Sequence, residues 1–300
     1  MAKKKRKPRQ RNKLNRASVS PTHNSVGRTI YCDTTIIYYE LLGHDLQKLA
    51  IAEYRKGSEL VISNFVRGEF IRGFISSLIE VYFCIKDEKS LHDGFAAYCA
   101  TSSHQPRKII NLVISLSGWL MRQEDQGDLS TSLRRLGEYI KRMIIELDYT
   151  FPKRCRDKLC CDFGVMSMPS ESFSENQLVD FYEELSAVTE SPNCKQCGFR
   201  EEIRSDVRHT KLFSDSSAER LSSFQGYIKQ VSWMKSALAS KMPQPSCNYC
   251  QKLGDTIIAL SAPKDSYLLT GDANSYPALC EILELPFGII PSLNKLKKES

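Results

Sequence analysis

Histidine is scarce in this 300-residue chain, and His23, His44, His92, His104 and His209 share no ligand spacing. A histidine-built metal centre is therefore not written here. No glycine-rich phosphate loop and no convincing Ser-His-Asp set occurs, which removes the nucleotide sites and acyl-transfer sites that depend on them. Long apolar runs are missing too. The longest, Ile109 to Met121, is broken by Asn111, Ser115 and Ser117, and it is too short to span a bilayer. Glycine and proline are few, at 15 and 12, while 41% of residues are hydrophobic. Such a chain can build a sizeable core, as one large domain or two ordinary ones.

The net charge of +7 resembles a nucleic-acid signature until it is located. Residues 1–16 hold nine Lys/Arg and no acid, so the other 284 residues net about −2. The basicity belongs to a tail with little apolar surface to bury, which is expected to be disordered. No hydrophobic stretch follows it, which argues against a secretory signal. Eleven cysteines are many. Without an export signal, metal ligation is a better use for them than disulfides, and the expected compartment is reducing and cytoplasmic, or nuclear if the cell has a nucleus.

After a linker over residues 17–27, the pattern predicts a strand at Thr29–Asp33, helices at Thr34–Leu42 and His44–Lys56, and a strand at Glu59–Ser63. Gly43 and Gly57 suit the left-handed position after a helix end. Asn64 fits an N-cap for a long helix carrying Glu69. This alternation implies a parallel sheet covered on both faces. Residues 87–246 lose the rhythm and read as helices at Leu91–Thr101, Pro106–Arg122, Ser130–Leu147, Asn176–Val188 and Ala218–Lys241. From Cys247 the alternation returns, with a helix at Asp255–Ala262, a strand at Ser266–Thr270, a helix at Tyr276–Leu285 and a strand at Phe287–Ile290.

Four acids stand where this architecture would collect them. Asp33 and Asp272 each end an apolar strand, Glu69 follows the Glu59–Ser63 strand into its helix, and Asp255 opens a short apolar helix. Acids just past the carboxyl ends of parallel strands converge on one crevice. Four of them cannot stay ionised there together without cations between them, and hard oxygen ligands select Mg²⁺ or Mn²⁺. The plainer reading of Asp33, Asp255 and Asp272 is helix capping, and that of Glu69 is the solvent edge of an apolar stripe. Thr34 and Thr270 are hydroxyls placed to support the acids, and Asn274 could hold a metal-bound water.

In these residues, in this order, the chain resembles the PIN-domain family of metal-dependent ribonucleases: Asp33 followed by Thr34, the step from Ser63 to Glu69, Asp255, and Leu-Leu-Thr-Gly-Asp272. The resemblance covers residues 28–85 and 247–291. It implies a three-layer α/β domain on a parallel sheet, Asp33, Glu69, Asp255 and Asp272 as catalytic metal ligands, single-stranded RNA as substrate, and products with 5′-phosphate and 3′-hydroxyl ends. Two departures stand out. Thr35 occupies a position that is often Asn in such proteins, and the interval from Glu69 to Asp255 is far longer than a compact domain of the family allows.

Cys194-Lys-Gln-Cys197 and Cys247-Asn-Tyr-Cys250 are two knuckles of the kind that close on a structural Zn²⁺, with Cys155, Cys160 and Cys161 as rival ligands. Cys32, Cys84, Cys99 and Cys280 lie in apolar surroundings and are expected in the core. Lys3, Lys4, Lys5, Arg6, Lys7, Arg9 and Arg11 would neutralise RNA phosphates, or serve as a nuclear import signal. The expected organisation is a basic tail and linker (1–27), the first half of a PIN-like domain (28–86), a helical, cysteine-rich insertion (87–246), the second half (247–292) and a short C-terminal tail (293–300). The expected activity is a divalent-metal-dependent endoribonuclease with single-stranded RNA and a regulatory protein as partners, and no membrane. The alternatives are a non-catalytic RNA- or protein-binding module on the same fold, and a structure-specific DNA nuclease.

Overall fold

The computed structural model describes residues 29–88, 90–101, 110, 113–115, 117, 129–155, 178–180, 183, 214–238 and 253–299. Five strands form one sheet: β1 (Thr29–Cys32), β2 (Glu59–Ser63), β3 (Lys153–Cys155), β4 (Tyr267–Thr270) and β5 (Phe287–Ile289), in the order β3-β2-β1-β4-β5. Every neighbouring pair is parallel. The expected α/β class holds. Parallel strands are covered on both faces, so they carry near-continuous apolar residues rather than an alternation. Tyr31, Cys32, Ile62 and Leu269 accordingly have no exposed surface.

The chain leaves β1 towards β2 and β3 on one side and returns for β4 and β5 on the other. Between β1 and β4 the strand order therefore reverses, and in such sheets the crevice beyond the carboxyl ends at that point receives ligands. Register places Cys32 beside Leu269. The Asp33 amide donates to the Leu269 carbonyl at 3.1 Å, so the ladder runs one step past β1 and delivers the Asp33 side chain at that crevice.

Helices α1 (Thr34–Leu42), α2 (Asp45–Arg55), α3 (Asn64–Phe70), α4 (Ser76–Glu88) and α5 (Leu91–Thr101) follow the first two strands. Ser63, not Asn64, caps α3, accepting from the Val66 amide at 3.1 Å. Between α3 and α4 the expected long helix widens into a π-helical turn at Ile71–Ile75, where the Ser76 amide reaches back to the Ile71 carbonyl. Gly57 has the left-handed conformation expected after α2, with φ of 71°. Gly43 does not: its φ is −72°, and space is what requires glycine there, because a Cβ would stand 2.2 Å from the Tyr39 carbonyl oxygen.

The long segment expected to fold as an insertion is joined to the sheet. Its helix α6 (Leu129–Thr150) buries Leu136, Ile140, Met143, Ile144 and Leu147 in the same core as β1 and β2. That stripe repeats at the helical period and was visible in the sequence. Immediately after it comes β3, an edge strand beside β2. Arg67 of α3, 1% exposed, makes a two-pronged pair with Asp148 of α6, with Nε–Oδ1 at 3.0 Å and Nη2–Oδ2 at 3.2 Å. The helix expected at Ala218–Lys241 is divided into α7 (Asp215–Arg220) and α8 (Gln225–Leu238). The remaining elements are α9 (Gly254–Ser261), α10 (Tyr276–Leu283) and α11 (Leu293–Glu299). Cys32 and Cys280 are buried and Cys84 half-buried, but Cys99 is exposed on α5, contrary to expectation. No helix among the described residues is long and apolar enough to cross a membrane.

Candidate functional site

Asp33 is the innermost acid, 2% exposed. Its Oδ1 accepts the Ile36 amide at 3.0 Å and so caps α1, while its Oδ2 accepts the Thr270 hydroxyl at 2.6 Å. The capping reading is thus correct for Asp33, and capping leaves lone pairs on both oxygens. Thr35 adds a hydrogen bond to the same carboxylate. Thr270 is shared across the switch point, because its Oγ1 also accepts the Asp272 amide at 2.9 Å. One buried hydroxyl therefore fixes the acids that end β1 and β4 relative to each other. Asp272 caps no helix; its Oδ1 accepts the Asn274 amide at 2.6 Å in a local turn, and Ser275 occupies the N-cap position of α10.

Glu69 faces the same space from α3, two residues before the π-helical turn. Its Oε2 accepts the Thr34 hydroxyl, so neighbouring threonines at the start of α1 serve neighbouring acids. Its Oε1 lies where a Cβ on Gly254 would be, 2.6 Å away. Glycine lets the first turn of α9 approach that carboxylate, and Asp255 is the next residue. Asp255 makes no capping bond to α9. Instead its Oδ2 accepts from Gln230 Nε2 at 2.7 Å, and Ser275 supplies another hydrogen bond.

The charge of a neighbouring acid reaches three of the four. Burial first, then the charge of Asp255, pushes Asp33 up to about 7 against hydrogen bonds from Thr270 and Ile36. Burial pushes Glu69 up to about 8, with Thr34 opposing and Asp255 and Asp33 adding to the rise. Asp255 is raised by burial and by Asp272. The buried hydroxyl of Tyr276 feels Asp255, Asp33 and Glu69 together, which, with burial, raises it well above its ordinary value. Acids from β1, α3, α9 and the end of β4 have thus been brought into one mutual field.

A hard divalent cation fits this set by donor chemistry, since carboxylate oxygens dominate it and Asp33, Glu69 and Asp255 resist ionisation there. By placement the fit is looser. Among the described residues, no three Asp, Glu, His or Cys side chains stand as a group that could hold one ion. Asp33 is buried, whereas Glu69, Asp255 and Asp272 are half-buried.

Sequence reasoning missed Gln230, Ser275 and Tyr276. A signal for Gln230 was available: it falls between Tyr227 and Val231 on the buried face of α8, and a polar residue on an apolar stripe needs buried partners. Ser275 and Tyr276 carried no such signal. The proposed zinc ligands Cys194, Cys197, Cys247 and Cys250, their rivals Cys160 and Cys161, and the tail residues Lys3, Lys4, Lys5, Arg6, Lys7, Arg9 and Arg11 lie outside the described residues, and of Cys155 only the backbone, in β3, is described. Comparison with protein-family models, with curated proteins and with solved structures finds no match to this chain. Function must be argued from the chemistry of the site.

Proposed function

We propose that the chain is a divalent-metal-dependent endoribonuclease of the PIN-like type, cleaving phosphodiester bonds of single-stranded RNA at the acid cluster. One observation carries this reading: four carboxylates from separate elements share a field beyond the carboxyl ends of β1 and β4, where Asp255 raises the pKa of Asp33 and Glu69 and Asp272 raises that of Asp255. A purely structural role would give little reason to gather mutually repelling acids there. Asp33, Glu69, Asp255 and Asp272 would hold Mg²⁺ or Mn²⁺. When bound, such an ion stabilises the phosphate's developing charge and activates water at neutral pH.

The protein's own groups do the rest. Thr270 keeps Asp33 aligned with the Asp272 backbone, and Thr34 holds one Glu69 oxygen. Glu69, Asp255 and Asp272 keep part of their surface exposed, where a flexible single strand would approach. A structural Zn²⁺ on Cys194, Cys197, Cys247 and Cys250, and RNA capture by the tail from Lys3 to Arg11, complete the proposal.

The looser placement of the acids favours a second reading, a non-catalytic RNA- or protein-binding module on the same fold. Incubating purified protein with labelled single-stranded RNA or DNA, in Mn²⁺ or in EDTA, separates the possibilities. RNA cut only with Mn²⁺ supports the proposal. Cleavage of DNA alone makes the protein a DNA nuclease, and intact nucleic acid with Mn²⁺ present supports the binding module.

A further inference from the structure

Gln230 has a geometry that neither the core nor the acids require by themselves. It is 3% exposed, and it comes from α8, a helix within the long segment between the two halves of the sheet. Its Oε1 accepts the Thr256 amide at 2.9 Å and the Thr256 hydroxyl, while its Nε2 donates to Asp255 Oδ2. Chemistry fixes which way the amide points. A backbone N–H only donates, so the amide oxygen must face Thr256, and the NH₂ group is left facing a carboxylate that accepts. The flipped amide would set donor against donor and oxygen against oxygen.

The contact is reinforced one turn earlier on the same helix. A Cβ on Gly226 would stand 2.3 Å from Ser275 Oγ, so glycine lets α8 lie against the serine that also bonds Asp255. Helix α8 therefore reaches Asp255 directly through Gln230 and indirectly through Ser275. We infer that Gln230 is a positioning residue for the acid cluster: its amide, delivered by α8, sets the orientation of the Asp255 carboxylate, and the site is incomplete without this helix. The inference rests on the reading of the acids as a divalent-metal site. It assigns the long intervening segment a direct part in building that site.

Two roles for the amide can be separated. Tying α8 to α9 needs only Oε1 on Thr256; orienting Asp255 needs Nε2. Gln230→Met keeps the length and removes both, whereas Thr256→Val removes one partner of the tie and leaves Nε2 on Asp255. Outer hydrogen bonds to metal ligands are worth about 10–100-fold in metal affinity or activity. Full-length Gln230→Met should therefore lose about that factor in kcat with KM for RNA unchanged, and Thr256→Val should keep both. Mn²⁺ affinity of the RNA-free protein, followed by the electron paramagnetic resonance of free Mn²⁺, should fall with kcat in Gln230→Met. Thr256→Val should lower the melting temperature without that loss, and Gln230→Asn, whose amide is one methylene too short to reach Asp255, carries the test if Gln230→Met does not fold. Wild-type kcat and Mn²⁺ affinity in Gln230→Met, or in Gln230→Asn where the former does not fold, would overturn the inference and leave the amide as a tie between helices. A wild-type protein that binds no Mn²⁺ would instead overturn the metal reading beneath it.

Discussion

At the scale of the residue, Asp33 shows why a buried acid is a burden on the fold. Ordinary carboxyl groups titrate near pH 4, whereas Asp33 is held up at about 7 and Glu69 at about 8. Between those limits the folded protein keeps protons that the unfolded chain has released, so folding stability must fall as pH rises through the window and level off above it. Asparagine cannot titrate. Wild-type protein freed of metal should therefore lose stability relative to Asp33→Asn between about pH 4 and 7, by thermal unfolding, and a gap that is constant or moves the other way would contradict the raised pKa. Mn²⁺ should restore the wild type most at the upper end, since a ligand stabilises the state it binds. Gly254 supplies a second test. Alanine is the better helix former, and the one close contact of its Cβ, at 2.6 Å, would be with the movable end of Glu69, Phe65 lying at an ordinary 3.7 Å. Gly254→Ala should leave the melting temperature unchanged or raised while cleavage falls; unchanged cleavage would show that the Glu69 carboxylate need not be where it is.

At the scale of the element, the acids were legible because each is tied to a local pattern. An apolar run ending in Asp marks β1 and β4, and the buried stripe of α6 repeats at the helical period. What was not legible depends on partners distant in sequence. Strand β3 is three residues long and includes Lys153 and Arg154, so it lacks the apolar composition of a strand and exists because β2 offers an edge. The π-helical turn after Glu69 leaves no mark in composition. Gln230 finds Asp255 only once α8 and α9 are packed. The same long-range logic governs Arg67, whose buried charge is answered by Asp148 across 81 residues. Removing one member of a buried ion pair costs about 3–5 kcal/mol. Because Asp148 is about a third exposed, Asp148→Ala should fall near the lower end, about 3 kcal/mol by denaturant unfolding. A loss below about 0.5 kcal/mol, as for an ordinary surface substitution, would mean that α6 is not tied to α3 through this pair.

At the scale of the whole molecule, the sheet's two halves are separated by a segment that returns to serve them, supplying β3, the core face of α6 and the amide of Gln230. A structural zinc on the two knuckles would anchor that segment five residues before Asp255. Zinc sites of this kind contribute on the order of 10–16 kcal/mol of apparent binding energy, comparable with a whole domain's net stability of about 5–15 kcal/mol. Elemental analysis of protein purified without chelators should find one zinc per chain, lost together with activity in the Cys247→Ser, Cys250→Ser double variant. Zinc well below one atom per chain would remove the site, and full zinc in the double variant would move the ligands to Cys155, Cys160 or Cys161. The central claim, that Asp33, Glu69, Asp255 and Asp272 are one catalytic centre, is tested most directly by single-turnover cleavage of labelled single-stranded RNA in Mn²⁺ by wild type, Asp33→Asn and Asp272→Asn, each checked for an unchanged fold. Loss of a group that stabilises developing charge costs about 10²-fold or more in rate, and both variants should show it. Cleavage at the wild-type rate by both would contradict the account.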